Sequence, residues 1–94
     1  MPRYVIERDI PEIGSLNHDE LRDGANKSND ALVSMKEQKK NVQWEHSYIV
    51  NNKTFCIYIA DNENLVREHA ELSGFPATII TQVKHMIDPV TAEA

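Results

Sequence analysis

The sequence predicts an α+β fold of order strand, helix, strand, strand, helix, strand, and three observations carry that prediction. Two segments have helical apolar spacing with capping residues at their ends, the segments between them are β-branched or alternate with period two, and a pair of asparagines joins the middle strands as a hairpin. With 94 residues, 40% of them hydrophobic, the chain has the size of one domain, residues 1–94.

Arg3 to Arg8, rich in Tyr4, Val5 and Ile6, reads as a first strand, which Pro11 and Gly14 break. Asn17 and Glu20 stand three positions apart in the form of a capping box. Leu21, Ala25, Ser28, Leu32 and Met35 then recur at steps of four and three, which predicts a helix from about Asn17 to about Lys39. Acidic Asp19, Glu20 and Asp23 crowd its start and Lys36, Lys39 and Lys40 its end, as the helix dipole favours. Val42, Trp44, His46, Tyr48 and Val50 alternate with Gln43, Glu45 and Ser47 as a second strand. Asn51 and Asn52 form the turn, asparagine tolerating positive φ better than other non-glycine residues, and Lys53 to Ala60 returns as the third strand. Asp61 or Asn62 caps a second helix with Leu65, Val66, His69, Ala70 and Leu72 along one face, and Gly74 is placed for a left-handed stop. Ile80 to Asp88 reads as the last strand, Pro89 closes it, and Thr91 to Ala94 are expected to fray.

This order is the ferredoxin-like βαββαβ pattern: a four-stranded antiparallel sheet with the first and third strands central, both helices on one face and the other face bare. The third strand is apolar on both sides, Phe55, Ile57 and Ile59 one way and Thr54, Cys56 and Tyr58 the other. A strand with one wet face would alternate, so the bare face is expected to be covered by a second copy, giving a dimeric, barrel-like assembly. Size points the same way, because a chain this short buries only about 60–65% of the surface its unfolded form exposes. Ile57 accordingly reads as an interior residue. The hairpin decides which side chains share that interior. A two-residue turn sets Tyr48 beside Phe55, His46 beside Ile57, Ser47 beside Cys56 and Glu45 beside Tyr58, whereas a three-residue loop sets His46 beside Tyr58 and Tyr48 beside Cys56.

Charge and composition exclude several classes of function. Ten Lys and Arg stand against 15 Asp and Glu, a net charge of −5, and the basic residues are scattered apart from Lys36, Lys39 and Lys40, which argues against nucleic acid as a partner. The longest apolar run, Phe55 to Ala60, is far short of the roughly 20 residues that span a bilayer. The first residues contain no apolar core of a secretory signal, so a cytoplasmic location is expected. The single cysteine, Cys56, cannot form an internal disulfide, and three glycines are too few for a phosphate-cradling loop.

The candidate chemistry lies in a few polar residues among the strands. None of His18, His46, His69 and His85 has a partner at metal-ligand spacing. His46 stands out as an imidazole in mid-strand between aromatics, which needs a hydrogen-bond partner, a ligand or a metal. Glu7 is a carboxylate in a central strand, either bridged to Lys53 or Lys84 or free to act as a ligand. His69, between Leu65 and Leu72 on an apolar helix stripe, reads as a satisfied core histidine, and Cys56 as a small buried hydrophobe or a ligand. Across a dimer interface Glu7, His46 and a tyrosine from each copy could gather into a carboxylate and imidazole site suited to nickel or zinc.

Particular residues then suggest a family. Met1-Pro2-Arg3-Tyr4-Val5-Ile6-Glu7-Arg8-Asp9-Ile10-Pro11, Gln43-Trp44-Glu45-His46-Ser47-Tyr48, the pair Cys56 and Tyr58, and Arg67-Glu68-His69-Ala70 leading to Ser73-Gly74-Phe75-Pro76-Ala77 resemble a small bacterial family once of unknown function and now called nickel-binding proteins. The resemblance runs from Met1 to Ile87-Asp88-Pro89 and implies a ferredoxin-like protomer, a homodimer, and nickel or another divalent transition metal held within the dimer. By motif it implies Glu7 and His46 as metal ligands and Tyr48, Cys56 and Tyr58 as further binding residues, with His69 also at a family position. The chain departs from the family at the first helix, where His18, Asp19 and Glu20 stand in place of a proline and two acidic residues.

Two functions of different kinds follow. One is a cytoplasmic homodimer that binds nickel or a similar ion. The other is a dimeric α/β-barrel that binds or transforms a small molecule, with His46 or Glu7 as general base in a pocket lined by Trp44, Tyr48 and Tyr58. An oligomeric scaffold without a ligand is the plainer third reading.

Overall fold

A computed structural model describes residues 1–93. Strands β1 (Arg3–Asp9), β2 (Val42–Ile49), β3 (Lys53–Ala60) and β4 (Ile79–Gln82) form one antiparallel sheet of order β2-β3-β1-β4, with helices α1 (His18–Glu37) and α2 (Glu63–Ser73) between them in sequence. The predicted topology is the one observed, with β3 and β1 central. The core lies between the sheet and the helices, where Tyr4, Ile6, Tyr58, Ala60 and Val66 are all 3% exposed or less and Leu32 of α1 packs against them.

The helix ends follow from their capping residues. Asn17 accepts from the Glu20 amide at 2.9 Å while the Glu20 carboxylate accepts from the Asn17 amide at 3.1 Å, completing the capping box. Asn62, rather than Asp61, caps α2 through the Leu65 amide at 3.1 Å, and Gly74 ends it at φ +81°. Helix α1 stops at Glu37, short of the expected Lys39, because Lys39 takes φ +61° and the Lys40 amide turns back to the Met35 carbonyl at 3.0 Å.

The hairpin has the two-residue turn, with the Val50 amide donating to Lys53 O at 3.0 Å, Tyr48 opposite Phe55, His46 opposite Ile57 and Ser47 opposite Cys56. Beyond His46 the ladder departs from expectation. Glu45 is an extra residue in a bulge, and Trp44, not Glu45, stands opposite Tyr58. The bulge turns the Trp44 ring to the helix side and leaves Glu45 on the open side, where it accepts from Arg3 Nη2 at 2.8 Å.

Neither Asn51 nor Asn52 takes a positive φ. Their turn is held from outside by the segment after β1. The Gly14 amide donates to Asn51 O at 3.0 Å, the Ile10 amide to Asn52 O at 3.1 Å and the Glu12 amide to Asn52 Oδ1 at 2.9 Å. A side chain at Gly14 would meet Val50 O at 2.6 Å and Asn51 Cα at 2.8 Å, so only glycine lets the two backbones touch. This segment holds a short 3-10 turn, Ile13–Ser15.

The last strand is shorter than the sequence suggests, Ile79–Gln82 instead of Ile80 to Asp88. In the sheet it pairs with β1, which begins at Arg3, and the Val83 amide to Arg3 O bond at 2.8 Å is the last one that strand supplies. Residues 83–88 therefore leave the sheet. Pro89–Glu93, expected to fray from Thr91, form a 3-10 turn whose first amides bond to Asp88 Oδ1. Ala94 lies outside the described residues.

Candidate functional site

The sheet sorts the candidate residues onto two opposite faces. In β1, Arg3, Val5 and Glu7 point away from the helices and Tyr4, Ile6 and Arg8 toward them, as the burial pattern shows. Register then places Glu7, Phe55, Tyr48 and Ile79 in one row across the open face and Val5, Ile57, His46 and Thr81 in the next. Glu7, His46 and Tyr48 thus share the open face, whereas Cys56 and Tyr58 belong to the helix side, at 6% and 2% exposure. The five residues do not form one site within a single chain.

The open face is apolar along its middle and charged at its ends. Val5, Phe55, Ile57 and Ile59 are half-buried, while Tyr48 and Ile79 are 61% and 49% exposed. At one end Lys53 lies 3.6 Å from both Glu7 and Asp9, so Glu7 has the bridged partner expected of a central-strand carboxylate. At the other end Arg3 holds the Glu45 carboxyl below the usual carboxylate range, chiefly through their hydrogen bond. His46 is exposed and meets Tyr48 edge-on, with ring centroids 5.1 Å apart.

Imidazole and carboxylate donors suit nickel, which prefers nitrogen and oxygen ligands of this kind. Their placement in one chain does not. Glu7 and His46 stand on opposite sides of β3 and in neighbouring rows, with Phe55 and Ile57 between them. Among the described residues no three His, Cys, Asp or Glu side chains come together to hold a metal.

The helix side holds a buried polar cluster. Tyr58 Oη lies 3.3 Å from Ser28 Oγ, and His69 Nε2 lies 3.3 Å from the same hydroxyl and 3.2 Å from Ser28 O. A carbonyl oxygen only accepts, so the His69 proton sits on Nε2, which leaves Nδ1 buried without a partner. His69 is completely buried, as expected of a core histidine, but only one of its ring nitrogens is satisfied. Burial is the main reason its imidazole is held below the ordinary histidine value, and burial likewise raises the Tyr58 phenol above its own. Both groups are neutral near pH 7. The pH consequence has a definite sign. The unfolded chain binds the proton near pH 6.5 and the folded one only at lower pH, so stability is lost as pH falls below about 6.5. Urea unfolding at pH 7.5 and 5.0 should show that loss, and His69→Gln should make it smaller; an equal loss in the variant would remove His69 as its source.

Beside this cluster, between the first half of α1 and the sheet, lies a cavity of about 450 Å³. Cys56 and Tyr58 line it with Arg8, Ser28, Trp44 and Ser47, and Trp44 Nε1 donates to Ser47 Oγ at 2.9 Å. Cys56 Sγ lies 3.4 Å from Thr54 Oγ1. Arg8 and Ser28 are the residues that the sequence did not single out. Arg8 follows Tyr4 and Ile6 at the strand period, a signal that could have marked it, but a cation is the residue type least expected on a buried side.

No curated protein matches the chain. Among solved structures it is similar to the crystal structure of SCO4226 from Streptomyces coelicolor A3(2), with a TM-score of 0.73 at 15% identity over 90% of this chain and 99% of that one, a likeness of fold. Residues 4–83 match the family described as nickel responsive protein, SCO4226-like, a span that takes in both helices and all four strands but for Arg3, the first residue of β1. The resemblance seen in the sequence motifs and this match over most of the chain agree: the protein belongs to the SCO4226-like family of nickel responsive proteins.

Proposed function

We propose that the protein is a cytoplasmic homodimer that binds nickel, closed through the open face of its sheet, with Glu7 and His46 of the two copies as metal ligands and Tyr48 beside them. The observation that carries this reading is His46, an exposed imidazole beside the apolar middle of the open sheet face in a member of a nickel responsive family. A second copy fits the face better than an unrelated partner. Its middle is apolar, and its ends carry both charge signs, Lys53 with Glu7 and Asp9 at one and Arg3 with Glu45 at the other, a pattern that can complement itself about a two-fold axis. Two copies double the donor set and bring it to the imidazole and carboxylate count that one chain lacks.

The test is calorimetric titration of untagged protein with nickel chloride, with the mass read by light scattering on the same sample. A dimer that takes up nickel at a fixed number of ions per two chains is expected. His46→Ala should stay folded, since His46 is exposed, and should lose at least about tenfold in nickel affinity. A monomer without a binding heat rejects the reading, and undiminished nickel binding in His46→Ala removes that residue from the ligand set.

A further inference from the structure

We propose that the cavity between α1 and the sheet binds a small organic carboxylate, apolar in body, whose carboxylate pairs with Arg8. This site lies on the opposite side of the sheet from the nickel-binding face and does not depend on it.

Arg8 is 3% exposed. A guanidinium keeps its charge at every physiological pH, and a buried charge is costly unless a counter-charge meets it. None does here: of the ion pairs among the described residues, none includes Arg8. Its Nη1 donates to Pro76 O at 3.0 Å and, less closely, to Phe75 O at 3.4 Å, and its charge lies 5.8 Å from the Tyr58 ring centre. These carbonyls and the ring offset part of the cost of burial. The other terminal nitrogen, Nη2, is buried and donates to nothing.

Arg8 is among the residues that line the 450 Å³ cavity, whose size falls in the lower half of the range of small-molecule pockets. Its walls are mainly apolar, with Ile10, Ile13, Leu16, Trp44, Ile49 and Phe75 around it. Few hydroxyls face the space, and that of Ser47 is already taken by Trp44. An unmet positive charge in an apolar chamber selects a ligand with one anionic end and an apolar remainder. The other charged residues of the wall sharpen the choice. Glu20 and Asp23 outnumber Lys27, which disfavours a dianion such as phosphate and leaves the single charge of a carboxylate to Arg8.

Trp44 is the single tryptophan of the chain and lines the cavity, so its emission reports on occupancy. Benzoate, the neutral isostere benzamide and inorganic phosphate, titrated at constant ionic strength, are the probes. Benzoate should change the Trp44 emission saturably, benzamide should bind at least about tenfold more weakly, and phosphate should not displace benzoate. Arg8→Met should weaken benzoate by at least about tenfold and leave benzamide unchanged. Gly24→Leu provides a second variant should Arg8→Met fail to fold. Gly24 lies on the helical wall with room for a Cβ, 3.6 Å from the Phe75 ring, and leucine favours the helix while filling the cavity, so benzoate binding should be lost. Equal affinity for benzoate and benzamide overturns the proposal, as does benzoate binding unchanged in Arg8→Met or Gly24→Leu. A wild-type protein without a saturable response to benzoate overturns it too, and displacement of benzoate by phosphate at equal concentration overturns the carboxylate class.

Discussion

Ile6→Ala should cost the protein about 2–5 kcal/mol of stability, the span measured for deleting several buried methyl and methylene groups from a core that cannot collapse around the loss. Ile6 is fully buried, sits on a central strand between Cys56 and Ile80, and packs in the cluster that holds Tyr4, Tyr58 and Val66. Its neighbours belong to three strands and a helix, so no single side chain can move into the space. A domain of this size has roughly 5–14 kcal/mol in total, and each kcal/mol lowers the melting temperature by about 4–8 °C. The expected result is a melting temperature lower by tens of degrees and a urea midpoint shifted at an unchanged slope. A cost below about 1 kcal/mol would mean that Ile6 is not where the sheet and helices meet.

Ile57→Asp should leave the chain folded and take the proposed dimer apart. Ile57 is half-buried in the middle row of the open face, between Val5 and His46, where a carboxylate on a lone chain reaches water. In a face-to-face dimer the same carboxylate loses water, meets apolar groups, and lies near its own symmetry copy. An unpaired charge in such a place costs several kcal/mol, and every 1.4 kcal/mol is tenfold in the dissociation constant. Light scattering should therefore give the mass of one chain at concentrations where the wild type has that of two, with an unchanged far-ultraviolet circular dichroism spectrum. A variant that remains a dimer would exclude this face as the interface, and one that unfolds would mean that Ile57 belongs to the protomer's own core.

That second outcome is the one the sequence suggests, and the difference shows what local patterns can and cannot reveal. Capping residues, the left-handed Gly74 and the period of β2 act within a few residues of themselves, so both helices and the hairpin are legible at nearly their true bounds. The end of β4 is set by where β1 begins, some 80 residues earlier, and no feature of residues 83–88 announces it. The bulge at Glu45 likewise leaves no mark in the alternation, because Trp44 and Glu45 fit the period whether or not one of them is extra. Faces were harder still. β3 is apolar on both sides, and only the register tells that Phe55 and Ile57 stand with His46 while Cys56 and Tyr58 line the cavity beneath α1. Glu7, His46, Tyr48, Cys56 and Tyr58 accordingly fall on two sides of one sheet, and Arg8 is not among them, since a lone cation is not expected in a core.

The contact of Gly14 with the hairpin tip bears on the order in which the chain can assemble. The Glu12 amide and the Asn52 side chain that accepts from it are 40 positions apart, and the Ile10 and Gly14 amides reach the same two asparagines. Three backbone amides of the loop after β1 lack these acceptors until the β2–β3 turn exists. Closing that turn is a local, fast event, whereas bringing β1 to β3 is a distant and slower one. The first turn of the polypeptide is therefore shaped by a later one, so during synthesis residues 10–15 stay without their partners until the hairpin has left the ribosome.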